Sequence, residues 1–476
     1  MYSLVASING VLWGHLLIYL LLIAGVWFSI RLRFVQLFGF GHMFGLLKQS
    51  RSMDGSGISS FQALCTSLSA RVGTGNLAGV AIAISVGGPG AVFWMWVIAF
   101  LGMATAFAEC LLAQLYKVKN RDGDFRGGPA YYIKLGLGYR PLAVLFSLSL
   151  MFGYTFVFNA TQANTIADAL NYSYGLPTIY SGIVITLIAG FIVIGGLKSI
   201  ARFSEVVVPL MALLFVAVAV FIVMINLHIV PKLLLEIITS AFGLSEIAGA
   251  TFAVAVQNGV TRGLYSNEAG AGSVPQAAAA AAPKPNHPAT QGYIQMLGVF
   301  IDTMVICTCT AIVIMLAGDY IGVEMTGIRM TQAAMDVHLG SFGGHFVALA
   351  ITVFAFTSIV GNYAYAESNL HFFALDNSLG RGIFTAVFLA MTLLGTQAEL
   401  KLVWAMADMA FGLMAVINVV AIMLLTPTVC IVARHYKAQR MQKKQSKSLV
   451  QAASDDSIRF NAQDIKVQGR VDNQIW

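Results

Sequence analysis

The chain has 476 residues, 58% of them hydrophobic and only 10% charged. Soluble domains carry roughly 25% charged residues, so this composition excludes an ordinary soluble enzyme and describes a polytopic membrane protein. The net charge of +7 does not point to nucleic acid, because the basic residues gather in alternate loops and in the tail, which is a membrane-topology pattern.

A spanning helix needs about 20 apolar residues. About eleven candidates follow one another, over 9–30, 58–85, 90–116, 141–168, 176–197, 203–227, 246–282, 291–317, 344–373, 382–397 and 401–432. The first run has no positive leader and no small-residue cleavage site, so it is expected to remain as a helix. If that helix runs out-to-in, the inner loops hold Arg31, Arg33, Lys48 and Arg51, then Lys117 through Arg140, then Lys198 and Arg202, with Lys284 and Arg381 further on. The tail adds a basic cluster from Arg434 to Lys447. Outside fall only Lys232, Arg329 and Lys401. This asymmetry places the N-terminus outside and the C-terminus in the cytoplasm.

Two of the apolar runs are interrupted by glycine-rich, polar stretches. One is Arg71-Val72-Gly73-Thr74-Gly75-Asn76 inside 58–85; the other is Asn258-Gly259 through Arg262 to Gly270 inside 246–282. A bilayer tolerates unwound backbone only where protein or water satisfies the freed groups. Broken helices at matching places in two halves are the sequence mark of a secondary transporter's binding site. With the first helix set aside, five helices lie in 58–228 and five in 229–432, and the odd number inverts the second half relative to the first. Residues 1–57 form the extra N-terminal helix and its loop. The polar 433–476 is read as a basic cytoplasmic tail without fixed structure, because it has too few apolar residues to build a core.

At the first break, Gly73 and Gly75 permit the φ values of an unwound turn. The freed carbonyls and the Asn76 amide oxygen suit an alkali cation, and the new half-helix N-terminus suits a carboxylate. The alternative is a glycine-lined packing kink. At the second break, Arg262 and Glu268 are ionisable groups within a membrane segment; a structural ion pair between them, or between Arg71 and another carboxylate, is the competing reading. Thr357-Ser358 could supply two neutral ligands to sodium, or bond back to a carbonyl one turn earlier. Glu109, Asp302, Glu367 and Asp408 are intramembrane carboxylates, each an ion or proton ligand or half of a buried pair. Gln162 and Asn164 are pocket donors or interhelical bonds. The five cysteines lie in apolar segments and read as free, buried thiols. No phosphate loop, zincin motif or nucleophile elbow occurs, so no enzyme and no cofactor is expected beyond a coupling ion.

The stretch Arg71–Asn76 with Leu77-Ala78-Gly79-Val80, then Gly87-Gly88-Pro89-Gly90-Ala91, resembles the alanine/glycine:cation symporter family, as does Arg262-Gly263-Leu264-Tyr265-Ser266-Asn267-Glu268-Ala269-Gly270. The resemblance covers about residues 10–432. It implies an all-α fold of about eleven transmembrane helices, with a leucine-transporter-like inverted repeat of five plus five behind one extra N-terminal helix. It implies sodium-coupled import of alanine, glycine or a related small amino acid across a bacterial inner membrane. Carried over by motif, the substrate residues are Thr74, Gly75, Gln162, Tyr265 and Asn362, and the sodium residues are Asn76, Thr357 and Ser358. Two departures stand out: Gly361-Asn362 replaces a common Gly-Trp, and Tyr265 replaces a common Phe. Both make the pocket more polar, so the substrate range is expected to extend to serine or glutamine. Rival readings are a proton-coupled carrier of the same fold and a passive facilitator or channel; for the latter, no rings of repeated polar residues are found.

Overall fold

The computed structural model describes residues 2–52, 57–120, 123–243, 252–318, 327–449 and 458–472, with 325 and 475. The chain is almost wholly helical and crosses the membrane as the hydropathy predicts. The extra helix α1 is Tyr2–Arg31. The first repeat is the broken pair α2 (Ser60–Arg71) and α3 (Gly75–Gly87), then α4 (Gly90–Leu115), α5 (Arg140–Tyr174), α6 (Thr178–Val193) and α7 (Gly196–Ile225). The second is the broken pair α8 (Phe252–Asn267) and α9 (Pro275–Ala280), then α10 (Pro288–Leu316), α11 (Phe342–Ser368), α12 (Ser378–Gly395) and α13 (Leu400–Leu424). A last helix, α14, runs over Thr426–Leu449. The start of the predicted span 246–282 lies outside the described residues. Short helices at Val230–Ala241 and Ile328–Leu339 occupy the loops expected outside.

The N-terminus of α2 is fixed by a capping box. Ser59 Oγ accepts from Gln62 N at 3.1 Å, and Ser59 N donates to Gln62 Oε1 at 3.0 Å. The helix ends at Arg71 because Val72 is extended (ψ 91°). It resumes at Gly75 in a turn widened to π geometry, Gly75–Gly79. Such widened turns recur at Gly153–Val157 and Phe300–Cys307, and all three carry residues of the site below, where π turns commonly occur.

The second break lies further along than its glycines suggest. Residues 258–267 are regular helix, and the unwound stretch is 268–274. Glu268 (φ +55°), Gly270 (+87°) and Gly272 (+81°) take left-handed conformations that no helix continues. Gly259 and Gly263 serve packing instead. A Cβ on Gly259 would stand 2.6 Å from Trp94 Cβ, and one on Gly263 2.7 Å from Ile98 Cγ2, so both let α8 press onto the buried α4. The two broken helices are also tied to each other: Ile58 N donates to Ala280 O at 3.3 Å and Ala282 N to Ile58 O at 2.9 Å.

The tail departs from expectation. Residues 433–449 continue α14, and 458–472 pack back on the body beside Leu135 and Asn286. Phe460 N donates to Asn286 O at 3.0 Å, Arg470 N to Leu135 O at 3.0 Å, and Tyr116 Oη to Gln468 O. Ile458 and Phe460 are buried. A few apolar side chains in a polar segment suffice because the body, and not the tail itself, supplies the core. Phe460 sits against His287 and His435, whose rings stack and whose Nε2 and Nδ1 lie 3.2 Å apart. Burial holds both imidazoles below the ordinary histidine range; Asp464 partly opposes this at His435.

A histidine buried as the neutral form stabilises docking above its unfolded pKa near 6.5 and loses that contribution as pH falls toward the lowered value. Limited proteolysis should therefore cut the 458–472 segment faster at pH 5.5 than at pH 7.5. Phe460→Ala removes a buried ring, a change worth about 3–5 kcal/mol in a core, and should make cleavage fast at both pH values.

Candidate functional site

At the first break three freed backbone groups meet side chains. Gly73 N donates to Asn76 Oδ1 at 2.9 Å, and Thr74 N to Gln162 Oε1 at 3.1 Å. Ser358 Oγ donates to Val72 O at 3.3 Å. Gly73 makes room for this: a Cβ there would stand 2.7 Å from Gln162 Oε1 and closer still to Ser358 Oγ. Gly75 likewise lets α3 approach α8, with Ser266 Cα 3.1 Å from the place of its missing Cβ.

Between the breaks lies a closed cavity of about 10 Å³, room for about one water. Its walls are Arg71 and Gly75 from the first break, Tyr154, Phe158 and Gln162 from α5, Tyr265 from α8, Glu268 from the second break, Asn362 from α11 and Phe411 from α13. The predicted substrate residues Gly75, Gln162, Tyr265 and Asn362 thus meet at one place, and Thr74 joins them through its bond to Gln162. Among the described residues, Thr74 Oγ1, Tyr265 Oη and Asn362 Nδ2 are buried without a hydrogen-bond partner. An amino acid enters this space only when the walls move apart.

On one side an aromatic and ionic layer closes the cavity. The Tyr265 ring is 5.0 Å from Trp404 and 6.3 Å from Phe411. One turn away, Arg262 Nη2 bonds Asp408 Oδ2 at 2.6 Å, and the guanidinium lies over Trp404 at 5.0 Å. Arg262 therefore pairs with Asp408, not with Glu268. Arg71 has no carboxylate at ion-pair distance among the described residues; its Nη1 donates to Gln295 O at 3.4 Å, and its Nε and Nη2 have no partner.

The predicted sodium residues fall into two groups on either side of the break. Asn76 Nδ2 donates to Asp302 Oδ1 at 2.7 Å. Asp302 Oδ2 accepts from Ser266 Oγ at 2.7 Å and Thr303 Oγ1 at 2.8 Å. Cys307 Sγ lies 3.1 Å from Ser266 Oγ. Thr357 and Ser358 form the other group. Both donate to Phe354 O, at 2.8 and 3.1 Å, the back-bonding that their sequence allowed, while Ser358 also reaches Val72 O. Of the residues that join Asn76 here, the sequence offers Asp302 as an ion or proton ligand or half of a buried pair, and does not single out Ser266 or Thr303. Only Asp302, a carboxylate in an apolar run, carried a signal.

The unwound stretch of the second break is held by Glu109, whose Oε1 accepts from Gly270 N at 3.2 Å. Asn418 Nδ2 donates to Glu109 Oε2 at 2.8 Å and to Gly270 O at 2.9 Å. Glu367 pairs with Arg126 at 3.4 Å and Arg381 at 3.7 Å, away from the cavity. Asn164 bonds the carbonyls of Gly395 and Ala398 at 3.0 and 2.8 Å, an interhelical contact.

The sodium:alanine symporter family model matches residues 1–450, and the chain belongs to that family of membrane transporters. It is 48% identical to the uncharacterized transporter YaaJ of Escherichia coli, covering 91% of this chain and 92% of that protein. It is 42% identical to the probable sodium/glutamine symporter GlnT of Bacillus subtilis, over 93% and 92%. It is 37% identical to the sodium/alanine symporter AgcS of Methanococcus maripaludis, over 90% and 95%. Among solved structures, MhsT in complex with L-phenylalanine matches at TM-score 0.58 and 14% identity, over 78% of this chain and 90% of that one. The architecture is the leucine-transporter fold.

The crowding at Gly73 gives a direct check. Gly73→Ala forces a methyl against Gln162 and Ser358, and overpacking of this kind costs about 1–3 kcal/mol. Thermal unfolding of the purified variant should shift downward by several degrees (~1 kcal/mol moves the midpoint by a few degrees), with uptake lost.

Proposed function

We propose that this chain imports a small amino acid together with sodium by alternating access, as a symporter of the bacterial inner membrane with its N-terminus outside and its C-terminus in the cytoplasm. The observation that carries the reading is the Asn76, Ser266, Asp302 and Thr303 cluster, set directly against the half-helix start at Thr74 and Gly75. The Asp302 carboxylate and the Ser266 and Thr303 hydroxyls are oxygen ligands of the kind an alkali cation takes, Asn76 would add its Oδ1 only on leaving Gly73 N, and the half-helix N-terminus next to them takes a carboxylate. Thr357 and Ser358, beside Val72 O, offer a second place for sodium on the other face of the same break.

Coupling follows from adjacency. Sodium at Asn76 lowers the energy of a substrate carboxylate at Thr74 and Gly75, and the reverse holds by the same free energy. Alanine and glycine are the leading substrates, in keeping with the family. The unpartnered Asn362 Nδ2 and Tyr265 Oη support extension to a side chain with a hydrogen-bonding group, such as serine or glutamine. The name of the relative called a probable sodium/glutamine symporter is in line with this.

The Arg262, Trp404 and Asp408 layer is the outer lid in this orientation, since α8 and α13 begin on the outer side. A proton-coupled carrier is the second reading, favoured by Asp302 and Glu268, two buried carboxylates with no ion-pair partner among the described residues.

The test is uptake of labelled L-alanine into proteoliposomes under an inward sodium gradient, with a matched potassium control. Accumulation above equilibrium is expected with sodium only; accumulation driven by a pH gradient alone would favour the proton reading. Asn76→Ala should raise the half-saturating concentrations of sodium and alanine together, each by roughly tenfold or more (~1.4 kcal/mol). A wild-type sodium response in that variant would remove Asn76 from the ion's surroundings. In competition, serine and glutamine should displace alanine from the wild type, and Asn362→Ala should weaken glutamine more than alanine.

A further inference from the structure

Glu268 has no place in the sodium site or the outer lid. It is the first residue after α8, and it holds a left-handed backbone (φ +55°) that glycine or asparagine would adopt more readily. Its N–H still closes the helix on Leu264 O at 2.8 Å. Side chains kept in such conformations cluster at ligand sites, because the surrounding structure sets their direction. Here that direction is into the cavity, where Glu268 faces Gly75, Gln162 and Asn362. The carboxyl is buried, with Ser273 Oγ donating to Oε2 at 2.7 Å and Tyr154 beside it. Among the described residues no Arg, Lys or His lies at ion-pair distance from it.

The carboxylate takes hydroxyl bonds from Ser273 and Tyr154 but has no counter-charge at ion-pair distance among the described residues, and a buried charge without one is poorly compensated. The cavity wall opposite offers the half-helix N-terminus at Thr74 and Gly75 and the donor groups of Asn362 and Arg71. The walls therefore carry one acceptor of full negative charge and several donors. That is the complement of a zwitterion. We infer that Glu268 receives the α-ammonium of the substrate, and that Ser273 orients it to do so; this rests on the amino-acid reading of the cavity given above. One or two of the ammonium N–H groups then make charge-assisted bonds to the carboxylate in a buried site, where such bonds are strong. Hydroxy acids and N-acylated amino acids are excluded, because they leave Glu268 buried without its counter-charge.

The test uses the purified full chain in detergent with saturating sodium and reads the ligand-induced shift of the unfolding temperature. Wild type, Glu268→Gln and Ser273→Ala are each titrated with L-alanine and with L-lactate, which keeps the carboxylate and replaces the ammonium with a hydroxyl. In the wild type, alanine should act at concentrations on the order of 100-fold below lactate. Glu268→Gln should raise the alanine midpoint on the order of 100-fold while moving the lactate midpoint by less than about threefold, so the preference collapses. Ser273→Ala keeps the carboxylate and should weaken alanine by roughly threefold to tenfold. An alanine midpoint in Glu268→Gln within about threefold of wild type overturns the assignment, and so does an equal loss for alanine and lactate, which is what a merely structural residue would give. If Glu268→Gln does not fold, an unchanged alanine-to-lactate preference in Ser273→Ala overturns it. A wild type that no amino acid stabilises overturns the underlying reading as well, which separates the two failures.

Discussion

The whole arrangement depends on one constraint: backbone N–H and C=O groups freed inside a bilayer have no water to bond and must find protein partners. Two helices are broken here, and the partners come from other helices. Gln162 on α5 takes Thr74 N, Glu109 on α4 takes Gly270 N, and Asn418 on α13 gives to Gly270 O. Ser358 on α11 gives to Val72 O. Helices α4, α5, α11 and α13 are therefore pinned to the breaks by polar bonds worth far more in this setting than on a surface. Under the proposed function, several of the polar groups that repair the breaks are also those that an ion or a substrate would meet. Repair and recognition would then share side chains.

That constraint also shapes the motion. The cavity is closed on one side by the tilted, packed rings of Tyr265, Trp404 and Phe411 and by Arg262 with Asp408. The ion pair is made through a single Nη2 to Oδ2 bond; Arg262 Nε and Nη1 and Asp408 Oδ1 have no protein partner. A bidentate, fully satisfied pair would be harder to part, and buried charges recover their desolvation cost only with complete hydrogen bonding. If this layer is the lid proposed above, a half-satisfied pair would close it while leaving little net free energy to oppose opening. On the opposite side, Ile58 and Ala281 join ends of the two broken helices through backbone bonds. Separation of those ends has to break them together, so the two broken helices act as a unit at that face.

Much of the fold was legible because hydropathy reads span by span, and eleven crossings follow from it. The first break was legible because Gly-Thr-Gly interrupts an apolar run. The second was located too early: Gly259 and Gly263 look like breakers in one dimension but are contact points for α4 in three. The residue that starts the unwinding is Glu268, and nothing in its type announces a left-handed backbone. Pairings between distant residues were beyond reach for the same reason. Arg262 and Asp408 are 146 positions apart, and Asn76 and Asp302 are 226 apart. The tail was misread because Ile458 and Phe460 are too few to build a core, yet enough to fill one offered by the body.

The two hydroxyl and amide groups around Val72–Asn76 sit on opposite faces of one unwound turn. In the proposed reading, a cation on either face would be bound partly by carbonyls whose orientation that turn sets. Gly73 N is already held by Asn76 Oδ1, and Val72 O by Ser358 Oγ, so drawing Asn76 or Ser358 toward an ion loosens the bonds that hold the turn. The turn can then re-form only with the ion in place of the lost partner. Under that exchange the geometry presented to a substrate carboxylate at Thr74 and Gly75 differs between ion-bound and ion-free states. A difference in geometry at the substrate's own contact atoms is what an obligatory coupling free energy requires. No long pathway between the proposed sites is needed, because Thr74 and Gly75 of one and Asn76 of the other are consecutive residues.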